Sequence, residues 1–97
     1  MTSKTEILQI LAREKPLLAQ RFGVRTLSLF GSAARDELTE ASDIDLLVEF
    51  EGPSTAKAYF GTQFHLEDAL GRPVDLVTKR ALRAALRPAI EREAILV

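Results

Sequence analysis

The chain of 97 residues contains no cysteine, so disulfide bridges and thiolate metal sites are excluded. Lys and Arg number 13 against 14 Asp and Glu, and without a basic excess we expect no direct nucleic-acid binding. Residues 1–8 lack the continuous apolar segment of a signal peptide, and the apolar runs are too short to cross a bilayer. These absences predict a small soluble protein without a membrane partner, and a reducing cytoplasm fits the lack of cysteine.

The composition is that of an ordinary folded domain, with 46% hydrophobic and 28% charged residues. A chain this short forms one domain at most, so residues 1–97 are interpreted as a single unit. We expect it to bury roughly 60–65% of its unfolded surface, enough to fold alone with modest stability. Five arginines gather toward the C-terminus, and most are interpreted as a solvated helix face: Arg72, Arg80, Arg83, Arg87 and Arg92.

Residues 3–22 show the pattern of helices. Ser3 can cap a helix, and Glu6 lies at the capping-box spacing before an apolar stripe of helical period. Pro16 is expected to interrupt this helix and to begin a second one that runs to about Phe22, because proline suits a first turn and not a helix interior. Gly23 is the expected stop.

Short strands alternate with helices along the rest of the chain, which predicts a layered α/β arrangement with one helical face. The predicted strands span residues 26–30, 43–50 and 74–78, and the predicted helices span 31–36, 55–70 and 79–93. Ser54 is the expected cap of the helix over 55–70, and Pro88 the expected restart within the last helix.

The helix over 55–70 carries the aromatic residues Tyr59, Phe60 and Phe64. Core packing is favoured for them over a docking surface or an adenine platform. His65, the only histidine, lies between Phe64 and Leu66 and is interpreted as a partly buried structural residue, since carboxylates with a metal need no further base.

Asp43 and Asp45 are the most informative residues of the chain. They stand one residue apart in a predicted strand, so both carboxylates project from one face while Ile44 packs on the other. Two ionised carboxylates held close together repel each other unless a cation lies between them, and magnesium prefers oxygen ligands. A cap or a solvated edge is the alternative for an isolated Asp-x-Asp, but the apolar residues 46–48 favour a buried strand. The spacing predicts a rigid metal site.

Asp75 and the pair Gly31-Ser32 are candidates to complete this site. Asp75 stands alone in an apolar strand and can reach the same cations if its strand neighbours that of Asp45; a surface-facing acid on an edge strand is the alternative. Gly31 permits close backbone approach, amides at the start of a helix attract phosphate, and the Ser32 hydroxyl can add a donor. For Gly31-Ser32 taken alone, a plain turn is the alternative.

Together these residues resemble the nucleotidyltransferase superfamily related to DNA polymerase β. The matching positions are Gly31-Ser32, Ser42-Asp43-Ile44-Asp45-Leu46 and Asp75. The run from Leu29 to Glu37, with the following residues through Glu49, looks like the minimal nucleotidyltransferases, which are the antitoxin partners of HEPN-domain ribonuclease toxins. The resemblance extends from about Val24 to the final helix. It implies the polymerase β-like fold, an α/β (α+β) arrangement in which helices pack on a small mixed sheet of about three strands.

The resemblance also implies roles for these residues. Asp43 and Asp45 would ligate two Mg²⁺ ions, and Asp75 would complete the shell of the catalytic ion and help to activate the acceptor hydroxyl. Gly31 and Ser32 would hold the terminal phosphates of a nucleoside triphosphate. The other two residues counted with nucleotide binding are Arg35, for which a salt bridge to an acid such as Glu37 is the alternative, and Ser42, which would cap or orient the acidic strand.

One position departs from the family pattern. The family commonly has Arg-Gly-Glu where this chain has Arg35-Asp36-Glu37. A non-glycine residue must therefore hold the helix end, and aspartate tolerates the left-handed conformation better than most residues.

The implied function is Mg²⁺-dependent transfer of AMP from ATP to a hydroxyl, expected to be a tyrosine of a HEPN toxin, by a protein adenylyltransferase that acts as antitoxin. The chain has no room for a second domain that grips an acceptor, so a partner protein is expected to present it. Two alternatives are open: an antitoxin that neutralises its toxin by binding alone, and a nucleotidyltransferase for a small molecule. Three intact acids disfavour the first, and the missing second domain disfavours the second.

Overall fold

A computed structural model describes residues 3–97, so the first two residues of the predicted domain lie outside the described part. Helices and strands alternate around one mixed sheet with the order β3-β2-β1-β4, in which β2 and β3 are parallel and the other pairs antiparallel. The elements are α1 (Lys4–Phe22), β1 (Val24–Phe30), α2 (Gly31–Ala34), β2 (Ile44–Phe50), α3 (Ala56–Leu70), β3 (Val74–Thr78), α4 (Arg87–Glu93) and β4 (Ile95–Leu96). The predicted α/β fold is confirmed, with four strands where about three were expected.

The first helix is continuous, and the predicted interruption at Pro16 is wrong. Pro16 lies inside α1, where its missing N–H and its ring would cost an isolated helix about 3 kcal/mol. Leu11 and Leu18 on either side are fully buried, and packing of this apolar stripe outweighs the local cost. The Ser3 hydroxyl accepts the N–H of Glu6 at 3.2 Å, and Gly23 ends the helix with φ of 72°.

Helices α1 and α3 cover one face of the sheet. The second strand begins at Ile44, so its predicted start at Asp43 is wrong. The predicted core face is confirmed, because Ile44, Leu46 and Val48 are fully buried against apolar residues of both helices. In register with Leu46 lie Leu29 of β1 and Leu76 of β3, so one apolar row crosses three strands. Residues one position away along each strand therefore face the opposite side of the sheet.

The aromatic residues of α3 lie mostly outside this core, so the expected core packing is wrong for two of them. Phe60 is 50% exposed and Phe64 61% exposed, whereas Leu66 and Leu70 are buried. Phe60 and Phe64 are four residues apart and share the outward face of the helix. Tyr59 does pack against the core, and its hydroxyl donates to the carbonyl of Leu76. The N-cap of α3 is Thr55, not Ser54 as predicted, because the Thr55 hydroxyl accepts the N–H of Ala58 at 3.1 Å.

The C-terminal segment differs most from its prediction. Helix α4 begins at Arg87 with a proline in its first turn, as the restart at Pro88 requires, but residues 79–86 form turns. Leu82 is the only buried residue among them, so no apolar stripe supports a helix there. The unpredicted strand β4 pairs with β1 opposite Ser28 and Leu29. Within residues 3–97, no helix is long and apolar enough to span a membrane.

Candidate active site

Asp45 and Asp75 lie side by side on the sheet face opposite the two long helices. They are direct neighbours in the register of the parallel pair β2–β3, and Phe30 of β1 lies opposite Asp45. Both acids alternate with buried residues of their own strands, so the core packing of those residues fixes the direction of the two carboxylates. Asp45 is partly buried and Asp75 is exposed. The edge strand β3 therefore presents Asp75 beside Asp45 and not away from it.

The surroundings of Asp45 oppose its ionisation. The pKa of Asp45 is raised to about 6 from an ordinary value of 3.8, first by burial and then by the charge of Asp75 and a hydrogen bond to its carboxyl group. The charges of Asp43 and Glu93 act in the same direction, in that order. Such a cluster gains stability from a proton or a cation between its members.

Asp43 precedes β2 in the loop that leads from α2. It is exposed, and it lies near enough to Asp45 for its charge to raise the pKa of that residue. The Ser42 hydroxyl accepts the N–H of Thr39 at 3.2 Å and lies 2.9 Å from the Thr39 hydroxyl. Ser42 thus caps the turn before Asp43, and its hydroxyl is engaged within the loop.

The turn at Gly31 passes so close to Asp45 that only glycine fits. Gly31 has φ of 72°, and a Cβ atom there would lie 2.1 Å from Oδ2 of Asp45. Ser32 follows in the short helix α2, which ends early because Asp36 adopts φ of 57°. Asp36 holds this left-handed position as predicted, and its Oδ1 accepts the N–H of Lys4 at 3.1 Å. The Gly31-Ser32 turn therefore lies beside the acids.

Glu93 is a member of this site that sequence reasoning missed. Its Oε1 accepts the N–H of Gly31 at 2.5 Å and a hydrogen bond from Nη1 of Arg35 at 2.9 Å. Arg35 also lies 3.6 Å from Glu37, the salt bridge considered as the alternative for this residue. Nothing local in the sequence marks Glu93, since its contact arises only when β4 returns the chain to β1.

His65 lies apart from the acids, as its structural interpretation predicts. Its Nε2 is 2.8 Å from Oε1 of Glu14, and both side chains are mostly buried between α1 and α3. The hydrogen bond to His65 and a weaker one to Arg13 lower the pKa of Glu14. The pair braces the two helices against each other.

The acids offer the oxygen donors that a divalent cation prefers, although they are not arranged as a complete set of metal ligands. Within residues 3–97, no three or more His, Cys, Asp or Glu side chains are grouped closely enough to hold a metal ion. The convergence of Asp43, Asp45 and Asp75 on shared ions stays a prediction. Asp45 and Asp75, however, offer only oxygen donors, and their mutual repulsion is of the kind that a bound dication relieves.

A mixed sheet with paired acids beside a Gly-Ser turn is the arrangement expected of a nucleotidyl-transferring enzyme. The sequence profile of the nucleotidyltransferase domain family matches residues 7–97. The chain therefore belongs to the nucleotidyltransferase family, and its relatives place it among the minimal nucleotidyltransferases.

Relatives of similar length support this assignment. The chain is 42% identical over 99 residues to a "putative protein adenylyltransferase" of Methanocaldococcus jannaschii, covering 100% of both. It is 39% identical over 97 residues to the protein adenylyltransferase MntA of Thermococcus cleftensis, covering 100% of this chain and 98% of the relative. A solved "putative minimal nucleotidyltransferase" is 40% identical with a TM-score of 0.77, covering 92% of this chain and 93% of that one.

A more distant structure shares the fold. It is a complex of a tri-AMPylated HEPN toxin of Shewanella oneidensis with its MNT antitoxin. The matching chain is 22% identical, with a TM-score of 0.59, and the match covers 96% of this chain and 66% of that one.

Proposed function

We propose that this chain is a Mg²⁺-dependent protein adenylyltransferase that moves AMP from ATP to a tyrosine hydroxyl of a HEPN-domain toxin and so acts as its antitoxin. The observation that carries the proposal is the pairing of Asp45 with Asp75 beside the Gly31 turn. The names of the two curated relatives support adenylyl transfer to protein, and the more distant toxin complex suggests the acceptor.

The acids form the metal-binding part of the proposed site. Asp43, Asp45 and Asp75 would hold Mg²⁺ through their carboxylate oxygens. When bound, Mg²⁺ supplies positive charge to the phosphates and lowers the pKa of the acceptor hydroxyl. Asp45 enters this arrangement ionised, because a neighbouring dication favours the carboxylate over the protonated form.

The turn forms the nucleotide-binding part of the proposed site. The Gly31 amide and the Ser32 hydroxyl hold the terminal phosphates, and Arg35 neutralises part of their charge. The Ser42 hydroxyl is engaged with Thr39, so Ser42 contributes by ordering the loop before Asp43 and not by touching the nucleotide. Positioning and charge neutralisation are the main demands of this reaction.

The proposed transfer is an in-line displacement at the α-phosphorus. The acceptor oxygen forms a bond to that phosphorus, and the bond from phosphorus to the bridging oxygen of the β-phosphate breaks. Pyrophosphate leaves with the electron pair of the broken bond, and the hydroxyl proton passes to the carboxylate of Asp75. In this proposal the partner protein presents the acceptor hydroxyl.

Labelled ATP tests the proposal directly. The wild-type chain, its cognate HEPN toxin and Mg²⁺ are incubated with ATP labelled at the α-phosphate or at the γ-phosphate. Only the α-label transfers to the toxin, and Asp45→Asn lowers transfer by at least about 100-fold, the effect of losing several kcal/mol of charge stabilisation. The control is Asp68→Asn, the same chemical change at an exposed acid of α3, which leaves transfer unchanged.

Two results contradict the proposal. Transfer of the γ-label identifies a kinase. Toxin inhibition that survives Asp45→Asn without any label identifies an antitoxin that works by binding alone. A toxin in which the acceptor tyrosine is replaced by phenylalanine loses the label if the acceptor is assigned correctly.

A further inference from the structure

Arg72 connects the two loops that lead into the acidic strands. Its Nη2 donates to the carbonyl of Thr39 and to the carbonyl of Ser42, the latter at 3.0 Å. Both acceptors lie in the loop between α2 and β2, and Arg72 itself lies in the turn between α3 and β3. Arg72 is partly buried and lies outside a helix, so the solvated helix face expected for most of the C-terminal arginines does not include it.

These two hydrogen bonds hold the chain on the N-terminal side of Asp43. On its C-terminal side, the N–H of Ile44 donates to the carbonyl of Pro73 at 3.0 Å, where regular pairing of β2 with β3 begins. Asp43 itself precedes β2 and is exposed, so strand pairing does not fix it. The residues on either side of Asp43 are therefore both tied to the segment 72–73, and Asp75 lies two residues further along that segment.

The start of β3 has supports of its own. Glu67 accepts the N–H of Val74 at 3.0 Å, and the side-chain amide of Gln63 donates to the carbonyl of Val74 at 3.2 Å. Both residues belong to α3, which also contributes to the core. Loss of the Arg72 side chain therefore leaves Asp75 in place and releases mainly the loop that carries Asp43.

We infer that Arg72 is a positioning residue that holds Asp43 at a fixed distance from Asp75 and thereby sets the divalent-cation affinity of the acids. This inference rests on the proposed function, because it assigns the acids to a metal. A guanidinium group suits the task, since its planar donors are rigid and always charged, and charge-assisted bonds to carbonyls are strong. A lysine at the same place has a single flexible ammonium group and holds two carbonyls less firmly.

Direct measurement of metal binding tests the inference without relying on turnover. Mn²⁺ stands in for Mg²⁺, and free Mn²⁺ is followed by electron paramagnetic resonance in wild type, Arg72→Ala, Arg72→Lys and Arg83→Ala. We expect Arg72→Ala to weaken Mn²⁺ binding about tenfold, the scale on which support of metal ligands acts. The Mn²⁺ affinity of Arg72→Lys should lie between those of Arg72→Ala and the wild type. Arg83 is exposed and follows β3 at its other end, so Arg83→Ala controls for the loss of one positive charge.

The outcomes separate this inference from the proposed function. The role of Arg72 is overturned if Arg72→Ala binds Mn²⁺ with wild-type affinity, or if Arg83→Ala weakens Mn²⁺ binding equally. It is also overturned if the wild-type chain binds no Mn²⁺. A wild-type chain that binds Mn²⁺ but transfers no AMP overturns the proposed function alone, and the comparison of variants still decides about Arg72. If circular dichroism shows that Arg72→Ala does not fold, the Arg72→Lys variant decides. Mn²⁺ binding at least about threefold weaker than in the wild type, at an unchanged Tm, supports the inference. Wild-type affinity for Mn²⁺ overturns it.

Discussion

The carboxylate of Glu93 accepts the backbone N–H of Gly31 at 2.5 Å, although the two residues are 62 positions apart in the chain. The same oxygen accepts a hydrogen bond from Arg35 at 2.9 Å. An anionic side chain thus occupies two of the donors that the proposed function assigns to the phosphates of ATP. Binding of ATP at these donors requires the Glu93 side chain to move or to lie beside a triphosphate of like charge.

Glu93→Gln is therefore expected to lower the KM for ATP. Removal of the charge relieves repulsion toward the phosphates and frees Arg35, while the amide oxygen can still accept from Gly31. We expect a decrease of about two- to fivefold, which corresponds to the 0.5–1 kcal/mol of a partly exposed charge pair. Initial rates at varied ATP measure it, with Glu91→Gln, an exposed acid of the same helix, as the control. A KM that rises would show that Glu93 supports the turn and does not compete with the nucleotide.

Gly31→Ala is expected to damage both stability and the acid pair. The added Cβ meets the Asp45 carboxylate at 2.1 Å, and φ of 72° strains any residue with a side chain. Gly23 has the same φ and nothing within 4 Å, so Gly23→Ala measures the backbone strain alone, about 1–2 kcal/mol. Urea unfolding should show a larger loss for Gly31→Ala than for Gly23→Ala. Equal losses would mean that Asp45 moves aside without cost.

The strands that carry the acids were predictable because their signals are local. Val74–Thr78 was predicted with its observed bounds, and the alternation in residues 44–48 gave the correct core face. Strand β4 and the contact of Glu93 with Gly31 were not predictable, since a two-residue strand has no pattern of its own and both features depend on pairing with β1. Pro16 shows why a local signal can also mislead. Proline disfavours a helix interior, but burial of the residues around Pro16 keeps helix α1 continuous.

Asp45→Asn should stabilise the metal-free protein in a pH-dependent way. The pKa of Asp45 is about 6 in the folded chain against 3.8 ordinarily, so between these values the folded state binds more protons than the unfolded state. The free energy of unfolding of the wild type therefore falls as pH rises through this window. At every pH above 6 the folded state carries the full cost of an ionised Asp45. After allowance for solvent screening, we expect about 1 kcal/mol, or a Tm higher by about 4–8 °C in the variant.

Thermal unfolding between about pH 4 and pH 7.5, with a chelator present, measures this difference. The gain should be largest above pH 6 and should vanish near pH 4, below which wild-type Asp45 is protonated in both states. Asp68→Asn, an exposed acid on α3, should show no such trend. A gain that is constant across the range would argue that the amide stabilises the site by packing and not by removing charge.

Replacement of Phe60 and Phe64 together by serine should leave the fold nearly unchanged. Both rings are at least half exposed, and the double variant loses their mutual stacking at 6.1 Å between centroids and the edge contact of Phe60 with Tyr59 at 5.2 Å. Serine and phenylalanine have similar helix propensities, so the cost of the double variant comes from the two lost ring contacts and should be about 1–2 kcal/mol. Leu66→Ala, a buried position of the same helix, should cost about 2–5 kcal/mol. Urea unfolding compares the two variants. A loss in the double variant equal to that of Leu66→Ala would place the rings in the core, whereas a smaller loss would confirm that they lie on the exposed face of α3.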